Sequence, residues 1–229
     1  MTDQPQFVIA PPPQASLPVE GTEARFPVRR IFCVGRNYAD HAREMGHDPD
    51  REPPFFFAKP ADALLTDGRA LPFPPATADL HFEAEMVVAL SAGGAGIDPA
   101  RAEALIWGAC AGIDLTRRDL QAEAKRMGRP WDMAKGFDLS AICGPLREGP
   151  APRTGAIRLE LDGAVRQDAD LSAMIWSVPE VIAHLSRLVR LAPGDLIFTG
   201  TPAGVGAVAR GQTMRVSIDG LPPLETRVE

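Results

Sequence analysis

Hydrophobic and polar positions along the chain change period often and over short stretches, which predicts many short strands and few helices. The first regular segment, Val28 to Gly35, reads as a strand ending at glycine. Asn37 then caps a helix through Tyr38, His41 and Glu44 that stops at Gly46. A charged, proline-bearing stretch from His47 to Pro54 suits a loop, and Pro54 to Pro60 a buried strand with Lys59 at its end. His81 to Leu90 alternates as a strand. Asp98-Pro99 opens a helix to Trp107, the apolar run 108–114 is a strand, and Thr116 to Asp119 has the form of a capping box opening a helix to about Met127. The last third reads as mostly β. Asp162-Gly163 and Asp219-Gly220 mark hairpins, and Ser177 to Glu180 is a second capping box, for a helix that buries Ile182, Leu185, Leu188 and Val189. Asp195 to Phe198 is a strand followed by a glycine-rich turn. Residues 1–28 are proline-rich and read as an extended arm. The organisation expected is that arm, then one catalytic domain over 29–229 with a lid at about 37–53.

Composition narrows the class. With 229 residues, 45% hydrophobic and 24% charged, the chain can bury a sizeable core, and no apolar run approaches a membrane span. The net charge of −6, with scattered Lys and Arg, argues against nucleic acid or an anionic membrane as partner. Cys33, Cys110 and Cys143 lack CxxC spacing and read as reduced core residues of a cytoplasmic protein; the N-terminus shows no export signal.

The chemistry centres on His81-Phe82-Glu83-Ala84-Glu85. On a strand Glu83 and Glu85 share a face, so two carboxylates aim at one place; the same alternation also suits the wet side of an edge strand. If buried, the pair calls for a cation. Asp114 ends the next apolar run, and three carboxylates without a Cys or His pair suit Mg²⁺ or Mn²⁺ rather than zinc. His41 and Glu44, three apart on a helix, could form a base and its orienting acid, or a solvated surface pair. Arg118 and Gln121, also three apart, can hold a carboxylate or keto oxygen, and the turn around Thr201 can offer N–H and hydroxyl groups to an anion. Lys135 sits in an apolar setting where a buried amine needs a reason, and a shift toward neutrality there would favour catalysis.

Taken together, Gly35-Arg36-Asn37-Tyr38-Ala39-Asp40-His41, Lys59-Pro60, His81 to Glu85, Gly112 to Thr116, Lys135 and Thr199-Gly200-Thr201-Pro202 resemble the fumarylacetoacetate hydrolase family, in the family's order. The likeness is greatest to its short acylpyruvase branch, including the enzymes that cleave fumarylpyruvate in gentisate breakdown. The resemblance implies an α+β fold, a mixed β-sandwich roll with short flanking helices, usually a homodimer. It implies Glu83, Glu85 and Asp114 as ligands of Mg²⁺ or Mn²⁺, His41 and Glu44 as the pair that activates water, Lys135 as the site lysine, and Arg118, Gln121 and Thr201 as substrate contacts. The activity implied is hydrolysis of a C–C bond in a small 2,4-diketo acid, such as fumarylpyruvate to fumarate and pyruvate. Oxaloacetate decarboxylation, or isomerisation of a 2-oxo acid, would use the same site. With only about 28 residues before the first motif, the large N-terminal β domain of the long family members has no room.

Overall fold

The structure, a computed structural model, describes residues 6–39 and 52–229. At its centre lies a mixed eight-stranded sheet. From one edge the order is Phe55–Lys59, Arg30–Gly35, Asp195–Phe198, Ala84–Leu90, Ile106–Asp114, Ala141–Cys143 and Leu64–Leu65, with Arg147–Glu148 also pairing to Ile106–Asp114. Both faces are covered, so all of Ala84–Leu90 is buried and its sequence is nearly unbroken hydrophobic. Alternation along the strands divides the side chains between two cores. Met86, Val88, Leu90, Ala111 and Ile113 enter the larger one, shared with a four-stranded antiparallel sheet and the helix Val178–Leu188. Val87, Ala89, Cys33, Cys110 and Phe198 enter the smaller one, closed by Leu17, Phe26 and Val28. Two sheets packed through a common core, with helices at the margins, make the mixed β-sandwich roll expected from the sequence.

The second sheet runs Ala164–Asp170, Ala156–Leu161, Thr213–Ile218, Leu224–Arg227. Its first hairpin turns at Asp162 and Gly163, both at positive φ (52° and 79°), the left-handed pair that a two-residue turn between twisted strands requires. The ladder shifts register between Leu159 and Glu160, and beside that shift Gln167 is fully buried on an otherwise exposed strand. A small three-stranded sheet, Gly206–Ala207, Leu80–Phe82 and Thr116–Arg117, closes the region beside the acids. Among the described residues no helix is long and apolar enough to cross a membrane.

Several elements differ from the sequence reading. The strand expected from His81 to Leu90 breaks at Glu83, and its halves belong to different sheets. Asp98 does cap a helix, accepting from Ala100 N at 2.8 Å, but that helix covers only Pro99–Ala102, a 3₁₀ turn follows, and the next strand starts at Ile106. Thr116 and Asp119 form no capping box: Thr116 lies in a strand, Asp119 binds Thr77 and Ala78, and the helix Arg118–Met127 begins without a side-chain cap. The box at Ser177 and Glu180 is present, whereas Leu188 in the last turn is 69% exposed. Phe55, Phe56 and Phe57 are half-buried, forming a wall rather than a core strand. The arm carries a hairpin, Ser16–Pro18 with Arg25–Pro27, that inserts Leu17 and Phe26 into the smaller core.

Candidate active site

The break at Glu83 helps place the acids. Glu85 sits in register opposite Gly112, two residues before Asp114, and the Glu83 carbonyl accepts from Asp114 N at 2.8 Å. One oxygen from each of Glu83, Glu85 and Asp114 lies within 4.8 Å of the others, and all three residues are buried. The wet edge-strand alternative is therefore excluded. Burial, then the charges of Asp114 and Glu83, push the Glu85 carboxyl well above its ordinary range, partly offset by Lys135 and a hydrogen bond from Gly200 N at 2.7 Å. That last bond depends on backbone geometry: Gly200 has φ +97°, and a Cβ there would stand 2.6 Å from that of Asn37.

Cations enclose this acid cluster. Lys135, reached from the short helix Asp132–Lys135, donates to Glu83 Oε2 and Asp114 Oδ2, both at 2.8 Å. Burial alone lowers its pKa, but Asp114 and Glu83 together outweigh that and hold it above the usual lysine range. The shift toward neutrality that would have favoured catalysis is absent: Lys135 is buried, as the sequence suggested, but is a charged donor rather than a free base. Arg118 Nη2 binds Glu83 Oε1 at 2.7 Å while Nη1 binds Gln121 Oε1 at 2.7 Å, so the expected helix pair does converge on the site. Thr116 Oγ1 donates to Glu83 Oε1 at 3.1 Å.

Three residues not singled out for the site complete it. Lys59, buried at the end of Phe55–Lys59, lies 2.8 Å from Asp114 Oδ1 and donates to the carbonyls of Leu115 and Lys135. Gln167 crosses from the second sheet, accepting from Ala84 N at 2.9 Å and donating to Thr201 Oγ1 and Pro202 O, both at 2.8 Å. Because the Thr201 oxygen accepts that bond, its own proton is available to the pocket it lines. Asn37, read as a helix cap, instead binds Thr199 O and both backbone groups of Trp176. The sequence signal for Lys59 was its place at the end of an aromatic strand; Gln167 had none.

Glu83, Glu85, Arg118, Gln121, Lys135 and Thr201 line one pocket, with Asp114 beneath it and Phe55, Phe57 and Trp131 as its aromatic wall. A larger cavity of about 280 Å³, bordered by Ile106, Leu171 and Met174, lies apart from the acids. The donor set fits a hard divalent cation: three convergent buried carboxylates, no His or Cys among them, and an excess of negative charge now met by lysines. His41 and Glu44 lie outside the described residues. The chain leaves toward them at Asn37–Tyr38, just after the pocket residue Arg36, and returns at Glu52, and both ends are tied to residues 174–176: Tyr38 bridges Met174, Ile175 N donates to Asn37 O at 2.7 Å, and Trp176 Nε1 to Glu52 O at 3.1 Å.

Comparison with known proteins accords with this geometry. Residues 30–229 match the family model described as fumarylacetoacetate (FAA) hydrolase C-terminal. Fumarylpyruvate hydrolase from Ralstonia sp is 39% identical over 188 residues, 80% of this chain and 98% of that protein. The mitochondrial oxaloacetate tautomerase of Rattus norvegicus is 38% identical over 204 residues, 88% of this chain and 92% of that one. The crystal structure of fumarylpyruvate hydrolase from Pseudomonas aeruginosa in complex with Mn²⁺ and pyruvate superposes with a TM-score of 0.94 at 51% identity, covering 97% of this chain and 99% of the other. On a match spanning nearly the whole chain, and with a buried acid triad at its centre, this protein belongs to the fumarylacetoacetate hydrolase family.

Proposed function

We propose that this chain is a metal-dependent hydrolase of acylpyruvates that cleaves fumarylpyruvate to fumarate and pyruvate. The observation that carries the reading is the meeting of Glu83, Glu85 and Asp114 with Lys135, Arg118, Gln121 and Thr201 around one pocket, in a chain 51% identical to a fumarylpyruvate hydrolase solved with Mn²⁺ and pyruvate. Glu83, Glu85 and Asp114 would hold Mg²⁺ or Mn²⁺, which when bound supplies Lewis-acid polarisation of a chelating 2-oxo acid. Arg118 and Gln121, locked to each other, orient the pyruvyl carboxylate, and Thr201 donates its proton to a substrate oxygen.

In this scheme His41, oriented by Glu44, takes a proton from water as its oxygen bonds to the distal acyl carbon. Lys135, charged and aimed into the pocket, stabilises the oxyanion that develops there. The carbon–carbon bond then breaks, its electron pair passing to the pyruvyl fragment as an enolate. That fragment takes up a proton to become pyruvate, and the acyl fragment leaves as fumarate. That Gly35 and Arg36, which lead into the segment holding His41, line the pocket supports placing His41 there. We further propose that residues 29–229 form the catalytic unit with a lid at about 37–53, and that the protein works as a cytoplasmic homodimer in gentisate catabolism.

A second reading, oxaloacetate tautomerisation, is favoured by the 38% identity to a tautomerase and needs no attacking water. The two separate on products. Fumarylpyruvate incubated with the Mg²⁺-loaded protein should give pyruvate and fumarate in equal amounts, halted by excess chelator. Turnover of oxaloacetate alone would overturn the hydrolase reading and withdraw the roles of His41 and Glu44.

A further inference from the structure

The floor of the pocket is acidic, but its mouth is not. Arg36 and Lys125 line the same pocket as Glu83 and Glu85, and neither is ion-paired with a carboxylate among the described residues. Each lies over an aromatic ring, Arg36 over Phe55 at 5.3 Å and Lys125 over Trp131 at 5.1 Å. Those rings meet edge to face, with centroids 5.5 Å apart at 86°, so one aromatic ledge carries both cations.

The backbone is arranged to make the ledge. Arg36 adopts φ +59°, an uncommon left-handed conformation for a residue other than glycine. Its neighbour Gly35 leaves space that the Phe55 ring fills, since a Cβ there would fall 2.0 Å from the ring. Partial burial, then the charges of Arg118 and Arg36, hold Lys125 below the usual lysine range, so these cations sense one another. Arg118 itself, bonded to Glu83 and Gln121, serves the pyruvyl end. Two cations without a carboxylate partner among the described residues, on a fixed ledge reached along an aromatic wall from the acid triad, complement a molecule charged at both ends.

We propose that Arg36 and Lys125 form the subsite for a second carboxylate, at the far end of a 2-oxo acid whose other end lies over Glu83, Glu85 and Asp114. The pocket then selects dicarboxylates over equally long monocarboxylates. This rests on the reading that the triad holds the 2-oxo acid end.

Binding of two seven-carbon acids that cannot be hydrolysed, 2-oxoheptanedioate and 2-oxoheptanoate, tests it by calorimetry on the Mn²⁺-loaded full-length protein. The wild type should prefer the diacid by roughly tenfold or more, as expected for a charge-assisted contact. In Arg36→Met/Lys125→Met that ratio should fall to about one, Arg36→Lys should keep part of it, and Lys125→Glu should invert it. No preference in the wild type, or a preference that survives the double variant, would overturn the subsite. Fumarylpyruvate turnover is scored separately. A wild type that shows the preference without turnover refutes the hydrolase reading and leaves the subsite standing.

Discussion

Replacing Lys59 by Met removes a buried cation that serves both Asp114 and the backbone beside it. In the native structure its ammonium lies 2.8 Å from Asp114 Oδ1, 3.2 Å from Leu115 O, and also bonds to Lys135 O, all in buried surroundings. Met fills nearly the same volume, so packing changes little and the loss is electrostatic. Breaking a buried ion pair from one side costs about 3–5 kcal/mol where the remaining charge is stranded, but Asp114 keeps Lys135 at 2.8 Å, so the loss expected here is that of a partner to a buried charged group, about 1–3 kcal/mol. For a chain of this size each kcal/mol lowers Tm by roughly 2–4 °C, so chelator-treated Lys59→Met should melt about 2–12 °C below wild type. A divalent cation bound at the triad would take over part of the Asp114 charge, so saturating Mn²⁺ should narrow the gap. Differential scanning calorimetry with and without chelator measures both effects. A fall in Tm under about 2 °C, or a gap that Mn²⁺ leaves unchanged, would refute the coupling of Lys59 to the acid cluster.

Other residues give independent checks. His41→Ala should lower kcat on fumarylpyruvate by roughly 10²- to 10⁴-fold while Mn²⁺ binding by calorimetry stays intact; an unchanged kcat would move the base elsewhere. Gln167→Leu leaves the Ala84 N–H and Pro202 carbonyl buried without their partner, at about 1–3 kcal/mol each, and frees Thr201 to reorient. Denaturant unfolding should show that loss and steady-state kinetics a raised KM, and native stability would exclude the network. Glu85 has a folded pKa above the ordinary 4.5, so its contribution to stability is complete below that value and is lost as pH rises through the raised one. Chelated protein should therefore lose stability with rising pH on a melting curve, whereas Glu85→Gln should show a flatter dependence; identical profiles would contradict the assignment.

What the sequence made legible was local. The apolar run Ala84–Leu90, the Asp162-Gly163 turn and the Ser177/Glu180 box each depend on residues within a few positions; the turn and the box form as read, while the strand read from His81 forms only from Ala84 onward in the central sheet. Thr116 and Asp119 carried the same local signal as the real box, yet tertiary partners won: Glu83 claims the Thr116 hydroxyl, and Thr77 and Ala78 engage the Asp119 carboxylate. The acids at 83, 85 and 114, with Lys135, were visible because a polar residue in an apolar run is itself a signal. The direction of the Lys135 shift was not, since it depends on two carboxylates 52 and 21 residues away. Lys59 and Gln167 were missed as site residues for the same reason. Lys59 finds its carbonyl partners 56 and 76 residues along the chain, and Gln167 reaches Ala84 across 83.

The proposed activity depends most on the three buried carboxylates acting together as a metal site. The direct measurement is titration of chelator-stripped protein with Mn²⁺, following loss of the free-ion electron paramagnetic resonance signal in wild type, Glu83→Gln and Glu85→Gln. One site per chain in the wild type, with affinity reduced by at least roughly tenfold in each folded variant, is the predicted result. Undiminished binding in both variants would place any metal elsewhere and contradict the central claim.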